Sequence, residues 1–376
     1  MKKIAVLRAN ALGDYIFILP ALQALKEKFP DAEIVLLGKD WHKGYLSNRP
    51  GPVDRVNVVP PYPGVGESEG FQPNQQVLDD FFAEMQKEKF DLAFQLHGGG
   101  RNSNPFISRL GAKLTIGLKT PDAASLDISV PYVYYFSEIL RYLEVVAQIG
   151  ATTRYIEPVV EITENDLIEA KNAIGELQSK AVAIIHPGAS DPRRRWPGRN
   201  FAQIADFLIE KGYSVYITGV PSEINDVNDV LSHVQQKNRI QNLCGRLSLN
   251  ALTGLLSKAH ILVSNDTGPL HLARALKTST VGIYWAGNAI TGLSMTTALH
   301  RSLPSFAFHC PICGLAASKI DKDDPGTCPH DTSFVADVQV EDVRLALKEL
   351  INTNKVESSS SNFQTINKVK LEREEI

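Results

Sequence analysis

The chain has 376 residues, is 43% hydrophobic and 22% charged, and carries a formal net charge of −3. That length is long for one domain and comfortable for two, and the near-balanced charge gives no reason to expect a nucleic-acid binder. Only four apolar residues separate Lys3 from Arg8, so no secretory signal is read. No segment reaches the ~18 apolar residues of a spanning helix, and four cysteines in a chain this long do not suggest a disulfide scaffold. The expectation is a cytoplasmic protein.

From the N-terminus the pattern alternates strand and helix. KIAVLRA (3–9) is a β-rich run, NALGD (10–14) a loop and YIFILPALQALKEKF (15–29) a helix. AEIVLLG (32–38) and RVNVVP (55–60) read as strands, GVGESEGFQPNQQ (64–76) as a loop, VLDDFFAEMQKEKF (77–90) as a helix, and DLAFQLHGGG (91–100) as a strand ending in glycines. Such an order predicts a parallel sheet covered by helices on both faces. Near residue 150 the pattern restarts. NDLIEAKNAIGELQ (165–178) is a helix capped near Asn165 or Asp166; AVAIIHPG, YSVYITGV, AHILVSND and STVGIYWA are strands, with helices between them. The prediction is an α/β protein of two Rossmann-like, doubly wound domains over 1–160 and 161–350, followed by a polar, flexible tail at 351–376. Ligands of such sheets bind outside the carboxyl ends of the strands, so the cleft between the halves is where function is expected.

Four strand ends carry chemistry. In RANALGDYIF, Gly13 permits a tight turn; Asp14 either caps the helix that follows or stands as a general base at the cleft mouth. In HPGASDPRRRWPGRNF, prolines 192 and 197 bracket three arginines, and a guanidinium fork in a loop of fixed shape suits a phosphate. In YITGVPSEINDV, Glu223 is either a first-turn carboxylate favoured by the helix dipole or an acceptor for ribose hydroxyls. In SNDTGPLHLA, Pro269 marks a first helical turn without using up a donor, so the amides of Thr267 and Gly268 open a helix ready for an anion. His271 sits in that turn, as a structural histidine or as a further contact to the same anion.

Cys310, Cys313, Cys328 and His330 form a C-x2-C pair followed by Cys-x-His. The spacing fits tetrahedral zinc, and it also fits a reduced, metal-free cluster or a labile disulfide.

Taken in order, LRANALGDYIFILPAL, LHGGGRNSNPF, HPGASDPRRRWP, TGVPSEIND, NLCGRLSLNALTGLL and SNDTGPLHLARAL resemble glycosyltransferase family 9, the bacterial heptosyltransferases of the lipopolysaccharide core. The resemblance implies the GT-B fold and an inverting transfer of heptose from ADP-heptose to a lipid-linked glycan acceptor. It further implies transient association with the inner face of the inner membrane and no metal requirement for catalysis. By position, it makes Asp14 the general base, and Arg194 the cation at the diphosphate, where the family usually has lysine. It puts Ser190, Glu223, Asp266, Thr267, Gly268 and His271 at the donor nucleotide, and Gly13 and Arg101 on the acceptor side. A non-catalytic nucleotide-sugar-binding protein and a GT-B-type nucleotide-sugar epimerase are the competing readings; Asp14 separates the first of these, since a binding module has no use for a base.

Overall fold

A computed structural model of the chain describes residues 2–175, 177, 181–316 and 328–359, with side chains to residue 352. The first half contains strands β1 (Lys3–Leu7), β2 (Glu33–Gly38), β3 (Arg55–Val58), β4 (Tyr62–Pro63), β5 (Gly66–Glu67), β6 (Leu92–Gln95), β7 (Leu114–Lys119) and β8 (Ile128–Pro131). Its helices are α1 (Leu12–Lys28), α2 (Asp40–Leu46), α3 (Gln75–Lys87), α4 (Ser103–Ser108) and α5 (Glu138–Ala147). The second half contains β9 (Val182–His186), β10 (Ser214–Ile217), β11 (Ile240–Asn242), β12 (Ile261–Asn265), β13 (Ser279–Trp285) and β14 (His300–Ser305). With them go α6 (Glu164–Ile174), α7 (Gly198–Glu210), α8 (Ile224–His233), α9 (Leu249–Lys258), α10 (Gly268–Ala275), α11 (Ala286–Gly292) and α12 (Val340–Ser359).

Each half is one six-stranded sheet, in the orders β3-β2-β1-β6-β7-β8 and β11-β10-β9-β12-β13-β14. All the pairings in these two sheets are parallel. Leaving aside the small β4–β5 pair, both sheets have the doubly wound order 3-2-1-4-5-6. The chain therefore reverses direction across each sheet between β1 and β6, and again between β9 and β12. The central strands are buried from end to end, as in Ile4–Leu7 and Val182–Ile185, because helices cover both faces. Burying each such Val, Leu or Ile side chain contributes about 1.5–3 kcal/mol.

The two halves are locked together away from the cleft. Arg49, after α2, forks onto Asp166 with both contacts at 2.7 Å, and Tyr45 hydrogen-bonds Thr253 at 3.0 Å. The α6 cap is Thr163, two or three residues earlier than the sequence suggests: its hydroxyl accepts from the Asp166 amide, and the Asp166 carboxylate accepts from the Thr163 amide. Asp166 thus serves the cap and the inter-half ion pair together. The expected tail at 351–376 begins too early, because residues 351–359 continue α12; the rest of it, from residue 360 onward, lies outside the described residues.

Candidate active site

The first corner is the turn from β1 into α1. Asp14 stands at the third position of α1, and its Oδ2 accepts from the Ala11 amide at 3.1 Å, so it does cap the helix start. Its Oδ1 accepts from Arg8 Nη2 at 2.8 Å, yet the side chain remains 34% exposed to the cleft. Arg8 is nearly sealed, at 3%, and donates also to the Leu96 carbonyl at 2.7 Å and to Tyr142. Glu138, the first residue of α5, lies 3.5 Å from the same guanidinium and is bonded by Tyr142 and Arg141. Burial disfavours the Arg8 charge, but Tyr142, Asp14 and Glu138 outweigh it and the guanidinium is held firmly cationic. One buried cation therefore orients two carboxylates at the mouth of the cleft.

The second half supplies the opposing wall. The three consecutive arginines divide their work. Arg193 forks onto Asp191, with contacts at 2.7–3.2 Å, and Arg195 reaches the Ala189 carbonyl at 2.9 Å and Asp226 at 3.3 Å. Arg194 faces the cleft, held at 2.9 Å to Ser190 Oγ and more loosely, at 3.5 Å, to Asp266 Oδ2. Asn265 fixes this arrangement from beneath. Its Oδ1 accepts from the Trp196 amide at 3.0 Å and its Nδ2 donates to the Pro187 carbonyl at 2.7 Å, tying the ends of β9 and β12 to the arginine loop.

Asp266 and His271 form a buried pair. His271 Nε2 lies 2.9 Å from Asp266 Oδ1, and Arg274 Nη1 lies 3.1 Å from His271 Nδ1. Arginine has donors only, so Nδ1 accepts and Nε2 keeps the proton. Burial pushes the His271 ring down further than Asp266 recovers, and the ring is neutral at pH 7. Burial pushes the Asp266 carboxyl up, but the His271 bond and the charges of Arg194 and Arg274 prevail, leaving it below the ordinary carboxylate range. Both ring nitrogens of His271 are thereby engaged, and its service is to hold Asp266. Glu223 accepts from the Val220 amide at 2.8 Å and lies 3.8 Å from His186 Nε2. Gly188 gives it room, since a Cβ there would lie 2.2 Å from the Glu223 carboxyl carbon.

The two helices that open on the cleft meet through glycine. A Cβ on Gly13 would lie 3.0 Å from His271 Cδ2 and 3.7 Å from Gly268 Cα, while one on Gly268 would lie 3.1 Å from Leu12 Cβ. The N-termini of α1 and α10 therefore abut, and both direct their positive ends and leading amides to the same space. The turn at Gly268 is a seam between the halves. The cleft has a volume of about 650 Å³ and is lined by Gly13, Asp14, Glu138, Ser190, Arg194, Glu223, Asp266, Thr267, Gly268 and His271, among others. Arg101 does not line it: that side chain is 67% exposed and pairs at 3.6 Å with Glu69 and 3.7 Å with Asp122.

A separate cluster joins Cys310, Cys313, Cys328 and His330, whose ligand atoms lie within 4.8 Å of one another. The Cys313–Cys328 sulfurs are 3.6 Å apart, and His330 Nδ1 is 3.6 Å from Cys328 and 3.8 Å from Cys310. A tetrahedron with metal–sulfur legs of about 2.3 Å has edges of about 3.8 Å, so the four atoms match a tetrahedral site. None of the four cysteines is in a disulfide. The amides of Cys313 and Ile312 bring the Cys310 thiol down to about 6, which favours the thiolate a metal needs. The cluster is anchored to the arginine loop nearby, where the Phe334 amide donates to the Arg193 carbonyl at 2.7 Å.

The structure thus brings Gly13, Asp14, Ser190, Arg194, Glu223, Asp266, Thr267, Gly268 and His271 to one cleft, and leaves Arg101 outside it. Arg8, Glu138, Tyr142, Asn265 and Arg274 belong to the same machinery and are not among the residues the sequence singles out. For Glu138 a signal exists: Ser137 precedes an amphipathic run, EILRYLEVVA, and caps the helix.

Comparison with known proteins agrees with this architecture. The family model for glycosyltransferase family 9 (heptosyltransferase) matches residues 80–292. Lipopolysaccharide heptosyltransferase 2 of Escherichia coli K12 is 24% identical over 300 residues, covering 75% of this chain and 82% of the relative. Among solved structures, the family 9 glycosyl transferase of Veillonella parvula DSM 2008 superposes with a TM-score of 0.74 at 20% identity, covering 93% of this chain and 97% of that one. The E. coli ADP-heptose lps heptosyltransferase II superposes with a TM-score of 0.72 at 18% identity, covering 94% and 100%. Two doubly wound sheets facing a charged cleft are the GT-B fold, and with a family model matching more than half its length the chain is a glycosyltransferase that belongs to glycosyltransferase family 9.

Proposed function

We propose that the enzyme transfers heptose, with inversion, from ADP-heptose to a hydroxyl of a lipopolysaccharide-core acceptor presented at the inner face of the membrane. The observation that carries this reading is the opposition of two charge sets across one cleft: Asp14 on the first half, and Arg194 with the opening of α10 on the second. Similarity to a lipopolysaccharide heptosyltransferase and to a structure described as an ADP-heptose enzyme supports the choice of donor and acceptor. Asp14 takes the proton from the acceptor hydroxyl as that oxygen attacks the anomeric carbon. The bond from that carbon to the diphosphate breaks, and its electron pair leaves on the β-phosphate oxygen. Arg194 and the amides of Thr267 and Gly268 meet the charge developing there, where fixed donors in a partly closed cleft act more strongly than water does. Glu223, across β10, is placed to accept from ribose hydroxyls. Among the described residues no helix is long and apolar enough to cross a membrane. Incubation with ADP-heptose and core oligosaccharide, with ADP release and product mass as readouts, tests the reading. Turnover only with uridine- or guanosine-linked sugars contradicts the donor; no turnover with any nucleotide sugar contradicts the activity.

The Cys310, Cys313, Cys328 and His330 cluster holds a structural zinc. Its edges fit the ion, and its place beside the arginine loop gives the metal a framework role rather than a chemical one. Elemental analysis of the purified protein should give one zinc per chain, and chelation should lower the melting temperature. Full thermal stability after complete metal removal contradicts the assignment.

A further inference from the structure

Arg8, just after β1, faces two carboxylates with one nitrogen. Its Nη2 donates to Asp14 Oδ1 at 2.8 Å and stands 3.5 Å from Glu138 Oε2. The other nitrogens are occupied: Nε donates to the Asp14 carbonyl at 3.2 Å, and Nη1 donates to the Leu96 carbonyl at 2.7 Å and to Tyr142. Glu138 is fixed from its far side. Arg141, itself buried, bonds Oε1, and the Tyr142 hydroxyl donates to Oε2. Burial pushes Tyr142 well above its ordinary range, so that hydroxyl stays neutral. Asp14, Arg8, Glu138 and Arg141 therefore form a row of alternating charge that begins at the cleft and runs inward. Among the described residues, Asp14 and Glu138 are the carboxylates that pair with Arg8.

We propose that Glu138 is a positioning residue of the transfer: it is the reserve counter-ion of Arg8 and takes over that cation as Asp14 accepts the acceptor's proton. The inference rests on the reading of Asp14 as the general base and adds what lets that base give up its charge. The proton leaves the acceptor hydroxyl for the Asp14 carboxylate, the O–H electron pair forms the bond to the anomeric carbon, and Glu138 neither gains nor loses a proton. Arg8 cannot discharge, because a guanidinium keeps its proton, and at 3% exposure it cannot turn to water instead. Neutralising its short-bonded partner would by itself strand a buried cation, which is strongly unfavourable. Glu138 removes that obstacle. It waits on the same Nη2 at 3.5 Å, so a tilt of the guanidinium exchanges one carboxylate for the other. Without the Glu138 charge, Arg8 would have Asp14 as its one carboxylate partner and would hold that charge against the incoming proton. Glu138 does not compete as a base, since Arg141 and Tyr142 occupy its two oxygens.

Steady-state kinetics of the full-length protein with ADP-heptose and core oligosaccharide test this in a double-mutant cycle. Glu138→Gln keeps the size of the side chain and a carbonyl oxygen for Arg141. It should lower kcat by roughly 10- to 100-fold, part of the 10²–10⁴ that a general base supplies, with the KM of ADP-heptose and the melting shift caused by ADP unchanged. In an Arg8→Met background no guanidinium waits on Asp14, so adding Glu138→Gln should change kcat by less than about twofold, the scatter of independent sites. Glu138→Asp keeps the charge and draws it back by one methylene; it should lose less than Glu138→Gln, and nothing further beside Arg8→Met. That charge-retaining variant carries the cycle if Glu138→Gln does not fold. Parental kcat in a folded Glu138→Gln overturns the proposal. An equal loss in both Arg8 backgrounds also overturns it, since Glu138 would then act through its bonds to Arg141 and Tyr142 or by touching the acceptor, and so does a Glu138→Asp enzyme as slow as Glu138→Gln. An Asp14→Ala enzyme as fast as the parent, or a parent without turnover, refutes the base reading itself and this proposal with it; an inactive Asp14→Ala beside a fully active Glu138→Gln defeats the proposal alone.

Discussion

Arg194→Ala is the perturbation whose size the structure sets most clearly. Arg194 is the one member of the arginine run left to face the cleft, because Asp191 takes Arg193 and Asp226, on α8, takes Arg195. Its own restraints are the neutral Ser190 hydroxyl at 2.9 Å and two long contacts to Asp266, at 3.5 Å to the carboxylate and 3.4 Å to the backbone carbonyl. Asp266 keeps His271 at 2.9 Å when Arg194 is removed, so no buried carboxylate is stranded and the fold should hold. The loss is then that of hydrogen bonds to a charged phosphate, about 1.5–3 kcal/mol, or roughly 10- to 150-fold in the dissociation constant of ADP. Adenosine has no phosphate and should bind the variant as it binds the parent. Arg194→Lys keeps the charge and loses the fork, and should fall between the two. Isothermal titration with ADP and adenosine decides the matter. Equal losses for both ligands would refute the placement of Arg194 at the diphosphate.

Asp14→Ala should lower transfer by about 10²–10⁴-fold, the usual worth of a general base, with ADP affinity unchanged; Arg8 still has Glu138, Tyr142 and the Leu96 carbonyl, so a folded protein with turnover within about tenfold of the parent contradicts the base assignment. Gly268→Val places a branched side chain 3.1 Å from Leu12 Cβ at the seam, so it should cost about 1–3 kcal/mol of overpacking and lower the melting temperature as well as ADP affinity; an unchanged melting temperature would mean the seam is not tight. Stability should fall on acidification below pH 6.5. His97 Nδ1 accepts from the Ala9 amide at 3.2 Å, and burial with Arg8 nearby brings its pKa down to about 4. The unfolded chain binds this proton from about pH 6.5 downward, so it holds more protons than the native state between the two values. The contribution present at neutral pH is then lost as pH falls, by roughly 2 kcal/mol at pH 5. Urea midpoints at pH 7 and 5 should show this, and His97→Gln should reduce the difference by about that amount, the remainder belonging to His42 and His300, which burial brings down to about 3 and about 4; an undiminished difference in that variant contradicts the role of His97.

What the sequence shows and hides follows from the range of each interaction. Asp14, Ser190, Arg194, Glu223, Asp266 and Thr267 stand at strand-to-helix corners, and such corners are written locally in glycine, proline and capping residues, so both the switch-point cleft and its residues were legible. Arg8 sits within two residues of its strand's end, and nothing near it in sequence reveals that it reaches Tyr142 and Glu138, residues separated from it by 134 and 130 positions. Which arginine of the run faces the cleft is likewise decided by Asp191 and Asp226, the latter 31 positions away from its partner. The tight packing of Gly268 is hidden in the sequence because the residue it meets, Leu12, belongs to the other half of the chain. Arg101 invites a functional reading from its glycine-rich corner, but Glu69 and Asp122 draw it to the surface.

The central claim is that a nucleoside diphosphate lies between Arg194 and the opening of α10, facing Asp14 across the cleft. A crystal structure of the protein with ADP tests it most directly. The diphosphate oxygens should lie within hydrogen-bond reach, about 3 Å, of the Arg194 guanidinium and of the Thr267 and Gly268 amides, with the ribose at Glu223. A diphosphate bound more than about 4 Å from those groups, or an adenine seated among Tyr134, Tyr135 and Phe308, would contradict the account.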